Sequence, residues 1–327
     1  MDYFSEVIGH EAAKEVLARA VLSPRHGYLI TGPTGVGCHL IAEAFVRALT
    51  THPADRPLAA HPDIIVLARD WNEAGTAMKK EIAVKDVRAL RMRIAERPSV
   101  ATRVVAYLPD ADALNEEGVN ALLKSIEEPP AGAVFVLVAH RPGRLPATLL
   151  SRLQSLALRR VASPDIDAWL KQKGVEATLR NESILASDGR PGIALRYAED
   201  DGFRSRISDA DRVIGLLIAA RTPGDVIAAI APEASLCDGS DDAVTEWRET
   251  LHLWGVALRR RMGVDASVRL TGIGHAFLQA ERHLGGPISP RLILELGLNY
   301  VVSGAAPVFP GWKAGAYPFP IGAEKGI

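Results

Sequence analysis

Gly27-Tyr28-Leu29-Ile30-Thr31, then Gly32-Pro33-Thr34-Gly35-Val36-Gly37, then Cys38-His39, is the stretch that decides how this chain folds. The first five residues are apolar and β-prone, and glycine bounds them, which predicts a short buried strand. From Cys38 to Thr50, Leu40, Ile41, Ala44, Phe45, Ala48 and Leu49 recur at helical spacing. A glycine-rich turn joining a buried strand to a helix is the opening unit of a parallel sheet with helices on its faces.

Outward from that unit the same alternation continues. Ile64-Ile65-Val66-Leu67 predicts a second strand, and Val84 to Arg97 an amphipathic helix closed by Pro98. Arg103 to Leu108 predicts a third strand, Val134 to Val138 a fourth and Gln154 to Arg159 a fifth. Between the third and fourth, Glu116 to Glu127 predicts a helix with Asn115 as N-cap and Pro129-Pro130 as its stop. Beyond about residue 160 the strand pattern ends. Ser163-Pro164 is expected to cap a helix, and helical segments follow to Val302, with breaks at Pro223, Pro232 to Ser240 and Gly285 to Pro290. The expected organisation is an α/β parallel-sheet domain over 1–160, a small helical lid over 161–202, an all-α domain over 203–302 and a Gly/Pro-rich, mobile tail over 303–327.

A turn of this kind curls backbone N–H groups around phosphate oxygens at a helix N-terminus. Nucleotide chemistry then requires a lysine for the phosphate charge and a Ser or Thr hydroxyl for Mg²⁺. Cys38 and His39 stand at those positions. A thiol brings no positive charge, and Mg²⁺ prefers oxygen to imidazole. Gly32, Gly35, Gly37, Cys38 and His39 therefore read as a degenerate phosphate loop. A Walker B strand should end in an acidic pair. Here Val104-Val105-Ala106-Tyr107-Leu108 runs into Pro109-Asp110-Ala111-Asp112, with proline at the metal-binding position. Asp110 and Asp112 are expected to cap the next helix. A redox role for Cys38 at a helix N-terminus is a third reading, with no second cysteine nearby to support it.

With 38 basic and 39 acidic side chains the formal charge is −1, so nothing draws the whole molecule to nucleic acid or an anionic membrane. Two distant cysteines make neither a disulfide framework nor a zinc site. The first nine residues lack the apolar core of a signal peptide, and no run has the length of a membrane span. These features predict a reduced, soluble, cytoplasmic protein.

Asn120-Ala121-Leu122-Leu123-Lys124-Ser125-Ile126-Glu127-Glu128-Pro129-Pro130, with Val7-Ile8-Gly9-His10, the loop at 32–39, Asp110-Ala111-Asp112, Leu114-Asn115, Pro142 to Leu145 and Ser151-Arg152, resembles the delta-prime subunits of bacterial DNA polymerase III clamp loaders, which are AAA+ proteins. The resemblance is densest over 1–160 and continues through Gly189-Arg190-Pro191-Gly192 and Pro290 to Leu298. It implies an AAA+ module, a helical lid and a helical collar. The collar joins five subunits into an open, hetero-pentameric ring that opens the sliding clamp and loads it onto primer-template DNA. It implies a component of the polymerase holoenzyme without ATPase activity of its own, with ATP-Mg held by neighbouring subunits. The family's Ser-Arg-Cys motif falls on Ser151-Arg152-Leu153, so Arg152, with Ser151, would act in trans on a neighbour's nucleotide. The family's sensor-2 arginine falls on Gly192, and the four-cysteine zinc module of many relatives is absent from Thr51 to His61, so no metal is expected. The alternative is an AAA+ ATPase whose divergent loop still binds nucleotide.

Lys79, Lys80, Lys85, Arg88 and Arg91 gather in and before one helix and are candidates for phosphate contacts with DNA; Glu81, Asp86 and Glu96 dilute that field. Arg259-Arg260-Arg261 would serve a collar interface or solubilise a helix end.

Overall fold

The computed structural model describes residues 3–70, 81–239, 243–262, 268–284, 286 and 288–303. Lys79, Lys80 and the expected tail beyond Ser303 lie outside these residues. The chain divides into two compact units, Met1–Phe203 and Arg204–Ile327.

The first unit is built on five parallel strands: β1 (Gly27–Thr31), β2 (Ile64–Val66), β3 (Val104–Leu108), β4 (Ala133–Ala139) and β5 (Gln154–Ala157). Their spatial order is β2-β3-β4-β1-β5, so β1 is an interior strand whose two neighbours, β4 and β5, are the last strands of the sheet in sequence. The register aligns Thr31 with Ala139 on one side and with Ala157 on the other. Alternation of side chains divides each strand between two faces. Tyr28, Ile30, Val105, Tyr107, Val136 and Leu156 bury one face against α1 (Glu11–Leu22) and α2 (Cys38–Thr50). Leu29, Ala106, Leu108, Phe135 and Leu137 bury the other against α3 (Val84–Ile94) and α4 (Glu116–Glu127). Both faces are covered, which is why the strands read as continuous apolar runs.

Asn115 caps α4 as its sequence position predicts, its side chain accepting from Gly118 N at 2.8 Å. The short α5 (Ala147–Leu150) leads into β5. Three helices then complete the unit: α6 (Ser163–Gln172), α7 (Ala177–Ser187) and α8 (Pro191–Glu199). Ser163 is not the cap expected of it. It is the first residue of α6, Ala162 precedes it, and no side chain caps that end.

α9 (Asp201–Ala219) leads into the second unit, with α10 (Pro223–Asp238), α11 (Ala243–Met262), α12 (Val268–Arg282) and α13 (Pro290–Ser303). Of the break expected over Pro232 to Ser240 the structure shows only the end: α10 runs through Pro232 and stops at Asp238, with Gly239 as its C-cap. A capping box at Thr222 and Asp225 fixes the start of this helix, and burial of Val226, Ala229, Ile230, Ala234 and Cys237 outweighs the one hydrogen bond that proline removes. Trp247 and Trp254 are fully buried, and Trp247 Nε1 donates to Asp238 Oδ1 at 2.8 Å. Arg260 pairs with Asp211 at 3.0 Å and Arg261 donates to the Asp211 carbonyl at 2.9 Å, so two of the three clustered arginines are spent on α9.

Candidate functional site

The carboxyl ends of the strands form the edge at which ligands of open parallel sheets bind. Four segments meet there after β1, β3, β4 and β5: the loop at 32–37, Pro109 to Asp112, His140 onward, and Leu158 to Arg160. The loop has the shape of a phosphate cradle. Gly37 is the N-cap of α2 with φ 109°, a conformation costly for any side chain, and no side chain caps the helix.

Its chemistry is different. Cys38 is 2% exposed and belongs to the core cluster beneath the loop. Burial pushes its thiol up to about 12, the reverse of the thiolate that a redox role requires. His39 Nε2 lies 3.2 Å from His140 Nε2, and His140 Nδ1 lies 2.9 Å from the Gly32 carbonyl. A carbonyl only accepts, so His140 Nδ1 carries the hydrogen; in the neutral pair its Nε2 accepts from His39. Burial, then the neighbouring His140, holds His39 below the usual imidazole range, while Asp110 and Asp112 pull more weakly the other way. His39, which stands where the metal-holding hydroxyl would be, is therefore uncharged at neutral pH.

Asp110 and Asp112 do not cap α4. Asp110 Oδ2 pairs with Arg69 at 3.5 Å, and Asp112 Oδ2 accepts from Arg141 N at 3.0 Å with the Arg141 Nε at 3.7 Å. Their carboxylates are engaged in bracing loops, and Asn115 has taken the capping role. The residues at this edge do not fit an Mg²⁺–nucleotide. No ammonium replaces the lysine at Cys38, no hydroxyl stands at His39, and proline stands at 109.

The loop is also closed from outside. Gly192 N, at the start of α8, donates to the Gly35 carbonyl at 2.9 Å. A Cβ on Gly35 (φ 88°) would lie 2.8 Å from the Ile193 side chain, and one on Gly192 would lie 3.2 Å from the Gly35 carbonyl. This close approach is possible because both residues are glycine. On the other side His10 Nε2 lies 3.0 Å from the Val36 carbonyl. Gly192 thus makes a backbone contact that fastens the start of α8 to the loop.

Arg152 lies at the opposite edge of the sheet. It precedes β5, and its carbonyl lies 3.0 Å from Nε2 of His26, which precedes β1. The five residues of β1 separate it from the glycine loop, roughly 15 Å of strand. Its guanidinium Nη1 donates to the Thr148 carbonyl at 2.8 Å and Nη2 meets Glu127 Oε1 at 2.8 Å. Ser151 Oγ donates to the same Thr148 carbonyl at 3.0 Å. Arg152 and Glu127 side chains are 37% and 44% exposed.

Of the basic candidates, Lys85 is exposed, Arg88 meets Glu117 at 3.3 Å, and Arg91 turns to Ser125 Oγ at 3.1 Å on α4. His52 and His61 are buried with rings 5.2 Å apart; His52 Nε2 lies 3.0 Å from the Pro57 carbonyl and His61 Nδ1 accepts from Asp63 N. Among the described residues there is no group of three or more His, Cys, Asp or Glu that could hold a metal ion, and no helix is long and apolar enough to cross a membrane. Sequence reasoning missed His140 and Glu127 as partners. Each carried a signal: His140 directly follows a strand at its carboxyl end, and Glu127 lies in the helix-ending motif.

The family described as "DNA polymerase III, delta subunit" matches residues 9–162. The chain is similar to DNA polymerase III subunit delta′ of Pseudomonas aeruginosa, 35% identical over 198 residues, covering 55% of this chain and 58% of that protein. It is 34% identical over 150 residues to subunit delta′ of Escherichia coli, covering 45% of this chain and 42% of that one. The chain thus spans less than two thirds of the length of either relative. In fold it is similar to a DNA polymerase III gamma subunit-related protein of Thermotoga maritima, with a TM-score of 0.51, 17% identity, and coverage of 88% of this chain and 98% of that chain. The parallel sheet with its trailing helices is accordingly the AAA+ fold, and over residues 9–162 the chain is similar to the DNA polymerase III delta-subunit family and to clamp-loader delta′ subunits.

Proposed function

We propose that this chain is a non-hydrolysing, stator-like subunit of a DNA polymerase III clamp loader. It supports ATP-driven loading of the sliding clamp onto primed DNA and supplies Arg152 to a neighbouring subunit's nucleotide. The observation that carries this reading is the content of its own loop: a buried neutral thiol and a neutral His39 beside His140 where phosphate chemistry needs a cation and a metal-holding hydroxyl. The hydrogen bond from Gly192 to Gly35 favours a lid that stays fixed rather than one that follows a nucleotide cycle. The place of Arg152, a strand's length from this chain's own loop, favours action in trans. There a guanidinium stabilises charge on a transferring phosphoryl group. The partners are the other subunits of a hetero-pentameric ring, which hold ATP-Mg, together with the clamp and primer-template DNA. Lys85 and Arg88 are the candidate phosphate contacts that the fold leaves exposed, Arg88 beside Glu117.

Two measurements test this. The purified chain should neither hydrolyse ATP nor bind it with Mg²⁺ dependence in calorimetry. In the reconstituted loader, Arg152→Ala should leave assembly intact and lower turnover at the one site it serves by about 10³-fold or more. Turnover by the isolated chain, or wild-type turnover by the Arg152→Ala complex, overturns the reading. Metal-dependent ATP binding without turnover would instead favour an AAA+ subunit whose divergent loop still takes nucleotide.

A further inference from the structure

Glu127 is an acidic residue in an unfavourable place. It is the last residue of α4, where the helix's carbonyl end is negative and a cation is preferred. Its neighbour Glu128 has no cation partner among the described residues, whereas Glu127 has one: Arg152, 25 positions later, at 2.8 Å. The backbones on both sides of this pair are anchored. Ile126 is 1% exposed, Leu149 is fully buried and Leu153 is 8% exposed, all in one core cluster. The His26 ring fixes the Arg152 carbonyl, and the Thr148 carbonyl takes Nη1. The side chains themselves remain more than a third exposed, so the pair is weak enough for a polyanion to displace.

We propose that Glu127 is a positioning residue for Arg152: it holds the guanidinium against its own chain, and a neighbour's polyphosphate must take Nη2 from the carboxylate to engage it. The inference rests on the reading of Arg152 as the residue offered in trans. The ion pair stabilises the disengaged arrangement, and its competition is felt as weaker nucleotide engagement. Removing the charge while keeping the shape should therefore tighten that engagement, not loosen it.

The test is a double-mutant cycle in the fully assembled loader with ATP as the probe. Glu127→Gln should lower the ATP concentration for half-maximal turnover about two- to fivefold, the worth of an exposed ion pair, with kcat and melting temperature unchanged. The shift should vanish in the Arg152→Ala background. A role confined to stability would move the melting temperature and leave the KM-against-kcat split alone. If Arg152→Ala lowers turnover but Glu127→Gln leaves half-saturation unchanged, raises it, or shifts it equally without Arg152, the positioning role is overturned while the in-trans reading stands. If Arg152→Ala itself has no effect, both fall.

Discussion

The glycine loop and the Arg152 corner lie at opposite edges of one sheet and are held in opposite ways. At the loop, Cys38 is in the core, His39 is held neutral beside His140, and the Gly35 and Val36 carbonyls are taken by Gly192 and His10. At Arg152 the backbone is as firmly anchored, but the charged tip is exposed and held by the Glu127 carboxylate, the Thr148 carbonyl and, at 3.5 Å, the Ser151 hydroxyl. Both regions therefore have a rigid frame; they differ in what the frame presents. On the proposed function this difference is expected: a loop with no ligand of its own can bury and tie down the groups around it, whereas a side chain offered to another molecule has to stay charged, reachable and weakly held.

The hardest blow to this comparison would come from putting the lysine back. Cys38→Lys places an ammonium stem in a position that is 2% exposed. Burying that charge should cost about 3 kcal/mol or more, or force the amine to lose its proton. The melting temperature of the first unit should fall by ~10 °C, and no ATPase activity should appear, because His39 and Pro109 remain. A Cys38→Lys protein that melts like wild type would mean the stem reaches the loop mouth, and that the loop is less filled than the thiol's burial indicates. Turnover in that single variant would show that the electrostatic loss was confined to one residue.

A smaller effect is expected from the lid contact. Gly35→Ala introduces a Cβ at φ 88° that meets the Ile193 side chain at 2.8 Å. Strain and overpacking together should cost about 1–3 kcal/mol, read as a drop of several degrees in melting temperature. Turnover by the assembled loader should not change at a temperature where the variant is folded. If instead Gly35→Ala alters turnover as Arg152→Ala does, the two edges are coupled and the loop is not inert.

How much of this was open to sequence reasoning follows from the range of the interactions. β1, α2, α4 and its Asn115 cap are local patterns, and their bounds coincide with the periodicities and stop signals. The loss of charge at the loop was also local, since it depends on which residues stand at 38, 39 and 109. What replaced it was not. His39 and His140 are 101 positions apart, and strand order 2-3-4-1-5 is what brings β4's end beside the loop. Arg152 finds Glu127 and His26 for the same reason, at the other edge. Asp110 and Asp112 read as caps because capping is the commonest local use of a carboxylate before a helix; Arg69 and Arg141 claimed them through tertiary contact. Pro232 read as a break because a single proline's cost is visible in the sequence, while the burial that offsets it comes from the rest of the unit.

The smallest effect probes the neutrality of His39. His39 is half-buried and its pKa is lowered, by burial first and by His140 second. The facing carboxylates Asp110 and Asp112 oppose this, but Arg69 and Arg141 already engage them. A histidine whose folded pKa lies below its unfolded value of about 6.5 contributes fully to stability above that pH. The contribution is lost as pH falls below about 6.5 toward the folded value, because the unfolded chain then binds a proton that the folded chain refuses. Between pH 7.5 and 5.5 the wild-type protein should therefore lose more melting temperature than His39→Gln, which can still donate a hydrogen bond toward His140 but cannot titrate. Some loss should remain in the variant, since burial also lowers the pKa of His61. Equal losses in the two proteins would mean that the pair accepts a proton without penalty. The loop could then carry a positive charge under mildly acidic conditions, and the contrast with the Arg152 corner would rest on Cys38 and Pro109 alone.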